Sequence, residues 1–110
     1  MVDTVRIVNR LGLHARPAAE FVKLAGRFDA EVWVEKEGLE VNGKSIMGVM
    51  MLAAEAGAQI RIRALGGDAE EALAALLGLV RSGFGEDDER LMAEEYDLGD
   101  ERDVSDGAAP

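Results

Sequence analysis

His14 is the single histidine of the chain and lies in the stretch Gly-Leu-His-Ala-Arg-Pro-Ala that begins at Gly12. Gly12 permits a backbone turn that other residues resist, and Pro17 suits the first turn of a helix. The free N–H groups and the positive dipole end of a helix start favour an anion, and Arg16 adds a permanent positive charge. His14 and Arg16 are therefore candidate residues for holding an anionic group.

The positive surroundings of His14 disfavour the imidazolium form, so a ring nitrogen keeps its lone pair at neutral pH. Such a nitrogen can attack phosphorus and hold the phosphoryl group as a phosphohistidine, which is a covalent form of group carriage. A domain this small has little room for a substrate pocket of its own. We therefore expect a carrier that is covalently phosphorylated but turns over only with partner enzymes.

Other chemistries fit the sequence poorly. With one histidine and no cysteine, the chain lacks the usual ligand set of a zinc site. The spacing gives no support to a Ser-His-Asp triad, and the sequence contains neither a P-loop nor a dinucleotide-binding fingerprint. We expect no metal ion and no bound cofactor.

Ser45 allows two interpretations. It is a good N-cap for the helical segment that follows, and it is also a candidate regulatory phosphorylation site, because a phosphate at a helix start need not unfold the helix. The apolar residues Ile46, Met47 and Met50 of that segment allow two interpretations as well. They either fill gaps in the core or form an exposed apolar surface for partner proteins.

Lys23 and Arg27 share a predicted helix face with Arg16. A basic stripe of this kind is usually a solvated face. Beside His14 it could also steer the acidic surfaces of partner proteins. We therefore include Lys23 and Arg27 with Ile46, Met47 and Met50 as candidate partner-binding residues.

The hydrophobic pattern predicts seven elements in the order β-α-β-β-α-β-α. Alternating apolar and polar residues are typical of half-buried strands, and apolar residues three or four positions apart indicate amphipathic helices. Asp68 is expected to cap the last helix, and Phe84 to pack back onto the core. One antiparallel sheet with helices on one face, an α+β fold, is the expected architecture. The predicted strands are 4–9, 30–37, 39–41 and 58–64, and the predicted helices are 17–28, 46–53 and 69–81.

Charge divides the 110-residue chain into two parts. Residues 1–84 hold ten Lys/Arg and eleven Asp/Glu, whereas residues 85–110 hold two and eleven. We expect one domain over 1–84 and an acidic, flexible tail over 85–110, which is either a solvating tail or a docking segment. The acidic balance argues against a nucleic-acid partner.

The sequence also carries signals of location. It has no apolar run near the roughly 18 residues of a membrane span, no signal-peptide pattern and no cysteine. We expect a cytoplasmic protein, without membrane insertion, that is a monomer.

Two stretches together resemble a known family. Gly12 to Ala18 resembles the active-site signature of HPr, the histidine-containing phosphocarrier family of the phosphoenolpyruvate:sugar phosphotransferase system. Lys44 to Met50 resembles the second signature of that family, the regulatory serine segment. The resemblance covers about residues 1–84 with matching element order, and it leaves the tail 85–110 unexplained.

The resemblance implies an open-faced β-sandwich, with a four-stranded antiparallel sheet covered on one face by three helices. It implies that His14 accepts a phosphoryl group from enzyme I and donates it to enzyme IIA, assisted by Arg16, in sugar transport. It also implies that Ser45 is phosphorylated by HPr kinase/phosphorylase, which hinders transfer and signals to a regulator of carbon catabolite repression. A paralogue serving a nitrogen-related or multi-domain phosphotransfer system, or a purely regulatory binding module, remains an alternative.

Overall fold

The computed structural model describes residues 1–86, and its elements follow the predicted order β-α-β-β-α-β-α before a final 3₁₀ turn. The strands are β1 (Val2–Arg6), β2 (Glu31–Lys36), β3 (Leu39–Asn42) and β4 (Gln59–Leu65); the helices are α1 (Ala15–Ala25), α2 (Ile46–Met51) and α3 (Ala69–Arg81); the 3₁₀ turn is Gly83–Gly85.

The four strands form one antiparallel sheet in the order β1-β4-β2-β3. Alternate residues of the two inner strands, such as Val34 and Ile62, are buried, while their neighbours face solvent. The helices bury Phe21, Leu76 and Val80 in the same core. The predicted α+β fold, an open-faced sandwich with three helices, is confirmed.

The C-terminal ends of β1 and α1 differ most from the prediction, by three residues each, whereas the ends of β2, β3, β4 and α2 differ by at most two. β1 ends at Arg6 rather than Asn9, because Arg6 pairs with Gln59 and β4 begins at that residue. α1 ends at Ala25 rather than Phe28. Beyond Ala25 the N–H of Phe28 bonds the carbonyl of Ala25 at 3.2 Å, a tighter turn than an α-helix makes.

Asp68 occupies the expected N-cap position of α3, but the prediction that it caps this helix is wrong, because its side chain makes no capping hydrogen bond. The carboxylate instead accepts hydrogen bonds of 2.8 Å from the backbone N–H groups of both Asp29 and Ala30. Asp68 therefore joins the start of α3 to the turn before β2.

The packed part of the chain continues past the predicted domain end at residue 84. Phe84 is buried, as predicted, and Glu86 is only 1% exposed. The rest of the predicted tail, residues 87–110, lies outside the described residues. None of the helices formed by residues 1–86 has the length and apolar character needed to cross a membrane.

Candidate functional site

His14 stands immediately before α1, at the end of a loop that the rest of the molecule holds in place. Gly12 has a φ of +70°, in the left-handed region that glycine adopts without strain. The backbone N–H of Leu13 donates a hydrogen bond of 2.8 Å to the carbonyl of Ala54, just beyond α2. The carbonyl of His14 then accepts the N–H of Ala18 at 3.0 Å, which begins the helix. The loop therefore fixes the backbone of His14 at a helix N-terminus.

The His14 side chain turns one ring nitrogen inward. Nε2 is buried and contacts Oε2 of Glu86, while the side chain as a whole is 33% exposed. The contact is close but is not a hydrogen bond, and neither atom has a hydrogen-bond partner among residues 1–86. Nε2 is therefore closed to a partner protein, and Nδ1 is the nitrogen left to react.

The second carboxylate oxygen of Glu86 is fixed by a hydrogen bond. Its Oε1 accepts a hydrogen bond of 2.9 Å from Nδ2 of Asn9, and the same amide donates to the carbonyl of Gly12 at 2.8 Å. Asn9 is fully buried. The amide of Asn9 thus connects the turn before His14 to the carboxylate that lies against His14.

Arg16 lies on the same side of the helix start. Its Nη1 is 3.9 Å from Oε2 of Glu86, and its side chain is 36% exposed. The predicted association of His14 and Arg16 is therefore present, with a carboxylate between them. The sequence predicts only positive neighbours around His14, and the structure adds the carboxylate of Glu86.

The contact with Glu86 decides where the ring proton lies. An ionised carboxylate offers only lone pairs, so a lone pair on Nε2 would face another lone pair at contact distance. The proton therefore belongs on Nε2, and in the neutral ring the free lone pair is on Nδ1. This arrangement suits nucleophilic attack by Nδ1 on an electrophile that arrives from solvent.

Ser45 caps α2, as one of the two interpretations expected. Its Oγ accepts a hydrogen bond of 3.1 Å from the N–H of Gly48. The α2 residues predicted to bind partners face solvent, with exposed fractions of 45% for Ile46, 74% for Met47 and 41% for Met50. Val49 alone in this helix is buried. The exposed set Ile46, Met47 and Met50, here called the α2 patch, is therefore not core filling.

Lys23 and Arg27 lie further along α1 and just beyond it. Both line a shallow surface depression beside α3, together with Glu20 and Leu79. Within residues 1–86 neither makes an ion pair. They are thus available cations, although they take no part in the contacts around His14.

Sequence reasoning missed two residues of the site, Asn9 and Glu86. Asn9 is the last residue of the predicted strand 4–9, and Glu86 is the first of a run of acidic residues. No local pattern distinguishes Glu86 from the acidic residues after it. The one available signal was Phe84, whose expected packing onto the core would bring the following residues back towards the domain.

Comparison with known proteins identifies a family for this chain. A family model described as the PTS HPr component phosphorylation site matches residues 2–82. The phosphocarrier protein HPr of Neisseria meningitidis serogroup A is 49% identical over 84 residues, covering 76% of this chain and 94% of the relative. The phosphocarrier protein NPr of Escherichia coli K12 is 47% identical over 86 residues, covering 77% of this chain and 96% of the relative.

A solved structure shares the fold. HPr-C-His from Thermoanaerobacter tengcongensis is similar with a TM-score of 0.76 and 48% identity, over 79% of this chain and 98% of that one. The family match over residues 2–82 includes all four strands, the three helices and both signature stretches. The chain therefore belongs to the HPr family, the phosphocarrier proteins of the phosphotransferase system.

Proposed function

We propose that His14 accepts a phosphoryl group on Nδ1 from phosphorylated enzyme I and donates it to an enzyme IIA. The observation that carries the proposal is the orientation of the imidazole at the start of α1. Nε2 is buried against Glu86 while 33% of the side chain is exposed, so Nδ1 is the nitrogen available to phosphorus.

The first step is a displacement at phosphorus. The Nδ1 lone pair of His14 forms a bond to phosphorus, and the bond between phosphorus and the donor's leaving atom breaks, with its electron pair going to the donor. Nδ1 carries no proton in this tautomer, so none has to be removed first. The ring gains positive charge as the new bond forms. The second step repeats the displacement with a nucleophile of the acceptor protein.

Arg16 supports this step through charge. Its guanidinium lies beside the carboxylate that contacts His14. This is the N-terminal end of α1, where unpaired N–H groups already favour an anion. A planar guanidinium binds phosphate oxygens well. We assign Arg16 the role of stabilising the phosphoryl oxygens during transfer.

The partner surface combines the α2 patch with the two cations of α1. An exposed apolar cluster on a small domain is typical of a protein-binding site, and Lys23 and Arg27 would steer acidic partner surfaces towards it. The protein acts as a cytoplasmic monomer in sugar uptake under this proposal. One relative is named phosphocarrier protein NPr instead of HPr. The alternative is therefore that this chain serves a different phosphotransfer system.

Phosphorus NMR tests the carrier function. The full chain is mixed with phosphoenolpyruvate and a catalytic amount of enzyme I. We expect an acid-labile phosphoramidate signal that is absent from His14→Ala. Arg16→Ala should slow its appearance roughly a hundredfold, a typical loss when one charge-stabilising donor is removed, whereas Arg81→Ala, an exposed arginine in the last turn of α3, should not. Labelling retained in His14→Ala would refute the assignment.

Ser45 is the candidate for regulation, and its proximity to the α2 patch favours this second role. A phosphate on Oγ would place negative charge beside Ile46 and Met47, which are exposed and apolar. We propose that HPr kinase/phosphorylase modifies Ser45, that transfer through His14 is thereby hindered, and that the modified surface binds a regulator of carbon catabolite repression.

The kinase test is separate from the carrier test. Incubation with ATP and an HPr kinase should add one phosphate to the wild-type protein and none to Ser45→Ala. The modified protein should then accept phosphoryl groups from enzyme I more slowly. Equal binding of a regulator by modified protein, unmodified protein and Ser45→Ala would contradict the regulatory role.

A further inference from the structure

We propose that Glu86 is a positioning residue for phosphoryl transfer: its buried carboxylate faces Nε2 of His14 and balances the positive charge that the ring gains when Nδ1 bonds to phosphorus. The inference rests on the proposed function of His14 and extends it to a residue beyond the family match, which ends at residue 82.

The carboxylate is placed by the fold. Phe84 is buried and has a φ of +58°, which turns the chain back after α3. The N–H of Glu86 donates to the carbonyl of Gly83 at 3.0 Å, and this closes the turn. Asn9 then holds Oε1 at 2.9 Å and leaves Oε2 directed at His14. Glu86 is thus fixed by hydrogen bonds to its backbone N–H and to Oε1, and Oε2 is left in contact with His14.

A buried carboxylate needs compensation, because an isolated charge in a protein interior is costly. Among residues 1–86, the groups that lie beside the Glu86 carboxylate include the Asn9 amide, the Nε2 of His14 and, at 3.9 Å, the Arg16 guanidinium. Two of these three belong to the proposed transfer site. The placement of Glu86 therefore depends on the same side chains that would carry the phosphoryl group.

The contact has two consequences for transfer. Rotation of the imidazole by half a turn would put a lone pair or a C–H group against the carboxylate, so the ring keeps Nδ1 towards solvent. When Nδ1 bonds to phosphorus, the ring keeps its Nε2 proton and becomes cationic. A carboxylate at Nε2 stabilises this charge, as a buried acid does for the imidazolium of a catalytic triad.

The first test observes the ring without any partner enzyme. The full chain is labelled with ¹⁵N in its histidine, and the Nε2–H signal is followed in wild type, Glu86→Ala, Glu86→Gln and Glu70→Gln. Glu70 is an exposed acid in the first turn of α3, so it gives the same charge change away from the site. We expect Nε2–H exchange with water to be roughly tenfold or more faster in Glu86→Ala and unchanged in Glu70→Gln.

The second test measures phosphoryl transfer from enzyme I in the same proteins. We expect the initial rate to fall about tenfold in Glu86→Gln, which keeps an acceptor and loses the charge, and further in Glu86→Ala. Two-dimensional ¹⁵N–³¹P NMR identifies the phosphorylated nitrogen. It should be Nδ1 alone in wild type, and a second product on Nε2 should appear in Glu86→Ala.

The outcomes separate the two proposals. The role of Glu86 would be overturned if both Glu86 variants showed wild-type transfer rates, a single product on Nδ1 and a protected Nε2–H. That result would leave the carrier function intact. A wild-type protein that is never phosphorylated, yet loses its protected Nε2–H in Glu86→Ala, would refute the carrier function and support the ring contact. Circular dichroism of each variant checks that α3 is retained.

Discussion

Gly12 lies so close to Ala54 that a Cβ atom on Gly12 would stand 2.4 Å from the Ala54 carbonyl oxygen. That carbonyl accepts the N–H of Leu13, so it cannot move away without releasing the loop that carries His14. The position also needs a φ of +70°. Two separate constraints, a close approach and a left-handed backbone, therefore require glycine here.

Replacing this glycine should destabilise the protein. For Gly12→Ala we expect a loss of about 3 kcal/mol in the free energy of unfolding, of which roughly 1–2 kcal/mol comes from the left-handed backbone and the rest from the clash. Gly38→Ala is the matched control, since Gly38 has a φ of +87° but nothing within 4 Å of an added Cβ. Urea unfolding measures both. Equal losses in the two variants would show that the clash is absent.

The cap of α2 is a separate source of stability. Ser45→Ala removes the acceptor of the Gly48 N–H, and we expect about 1 kcal/mol of lost stability. Ser45→Asn retains a capping oxygen and should lose much less. Chemical unfolding of both variants checks this. A loss in Ser45→Asn as large as in Ser45→Ala would assign the effect to the hydroxyl's size or packing instead of its capping bond.

The α2 patch should affect partner binding without affecting the fold. Met47 is 74% exposed, so Met47→Lys should leave the unfolding free energy within about 0.5 kcal/mol of wild type. We expect it to weaken binding to enzyme I roughly tenfold or more, measured by calorimetry, as loss of a well-placed interface residue does. Leu65→Lys is the control, because Leu65 is a similarly exposed apolar residue, 53% exposed, that lies in β4 and not in α2. Equal affinities for the two variants would remove Met47 from the interface.

Asp68 should contribute to acid sensitivity. The hydrogen bond from the N–H of Asp29 is the main cause that holds the pKa of Asp68 below its usual range, with a further one from Ala30. A carboxyl whose pKa is lowered in the folded protein stabilises the folded state at pH values above the pKa of the same group in the unfolded chain, which is about 3.9. That contribution is lost as the pH falls through the lower, folded-state pKa.

The variant Asp68→Asn should therefore show a shallower loss of stability than wild type below about pH 4. At neutral pH it should be less stable, because an amide oxygen is a weaker acceptor than a carboxylate. Unfolding free energies from about pH 6 to pH 2 measure the effect. Glu71→Gln removes an exposed carboxylate of α3 as a control. Parallel acid profiles for wild type and Asp68→Asn would argue against the bond to Asp29.

The sequence predicts correctly those features of the fold that depend on contacts between residues close together in the chain. The alternation around Val32 and Val34 predicted a half-buried strand, and Ser45 was predicted as a cap because its partner is three residues away. His14 and Arg16 were found for the same reason, since a helix start brings them together. Element order and the main candidate residues thus follow from short-range periodicity.

Long-range contacts account for what the sequence could not predict. Asp68 stands where a capping acid belongs, yet its carboxylate binds an N–H group 39 positions earlier in the chain. Glu86 resembles every other acidic residue of its run, yet it meets Asn9 across 77 positions. Neither partner can be inferred before the fold has brought the start of α3 beside the turn before β2 and the end of α3 towards the turn that follows β1.

The link between Asn9 and Glu86 also bears on the order in which the protein becomes competent during synthesis. His14 leaves the ribosome early, but the residues that hold its loop, Ala54 and then Glu86, follow much later. A nascent chain can form α1 without either. Under our proposal the histidine of such a chain has an unfixed ring, so incomplete chains are poor phosphoryl acceptors. Completion of α3 and its final turn would make each new molecule active in one late step.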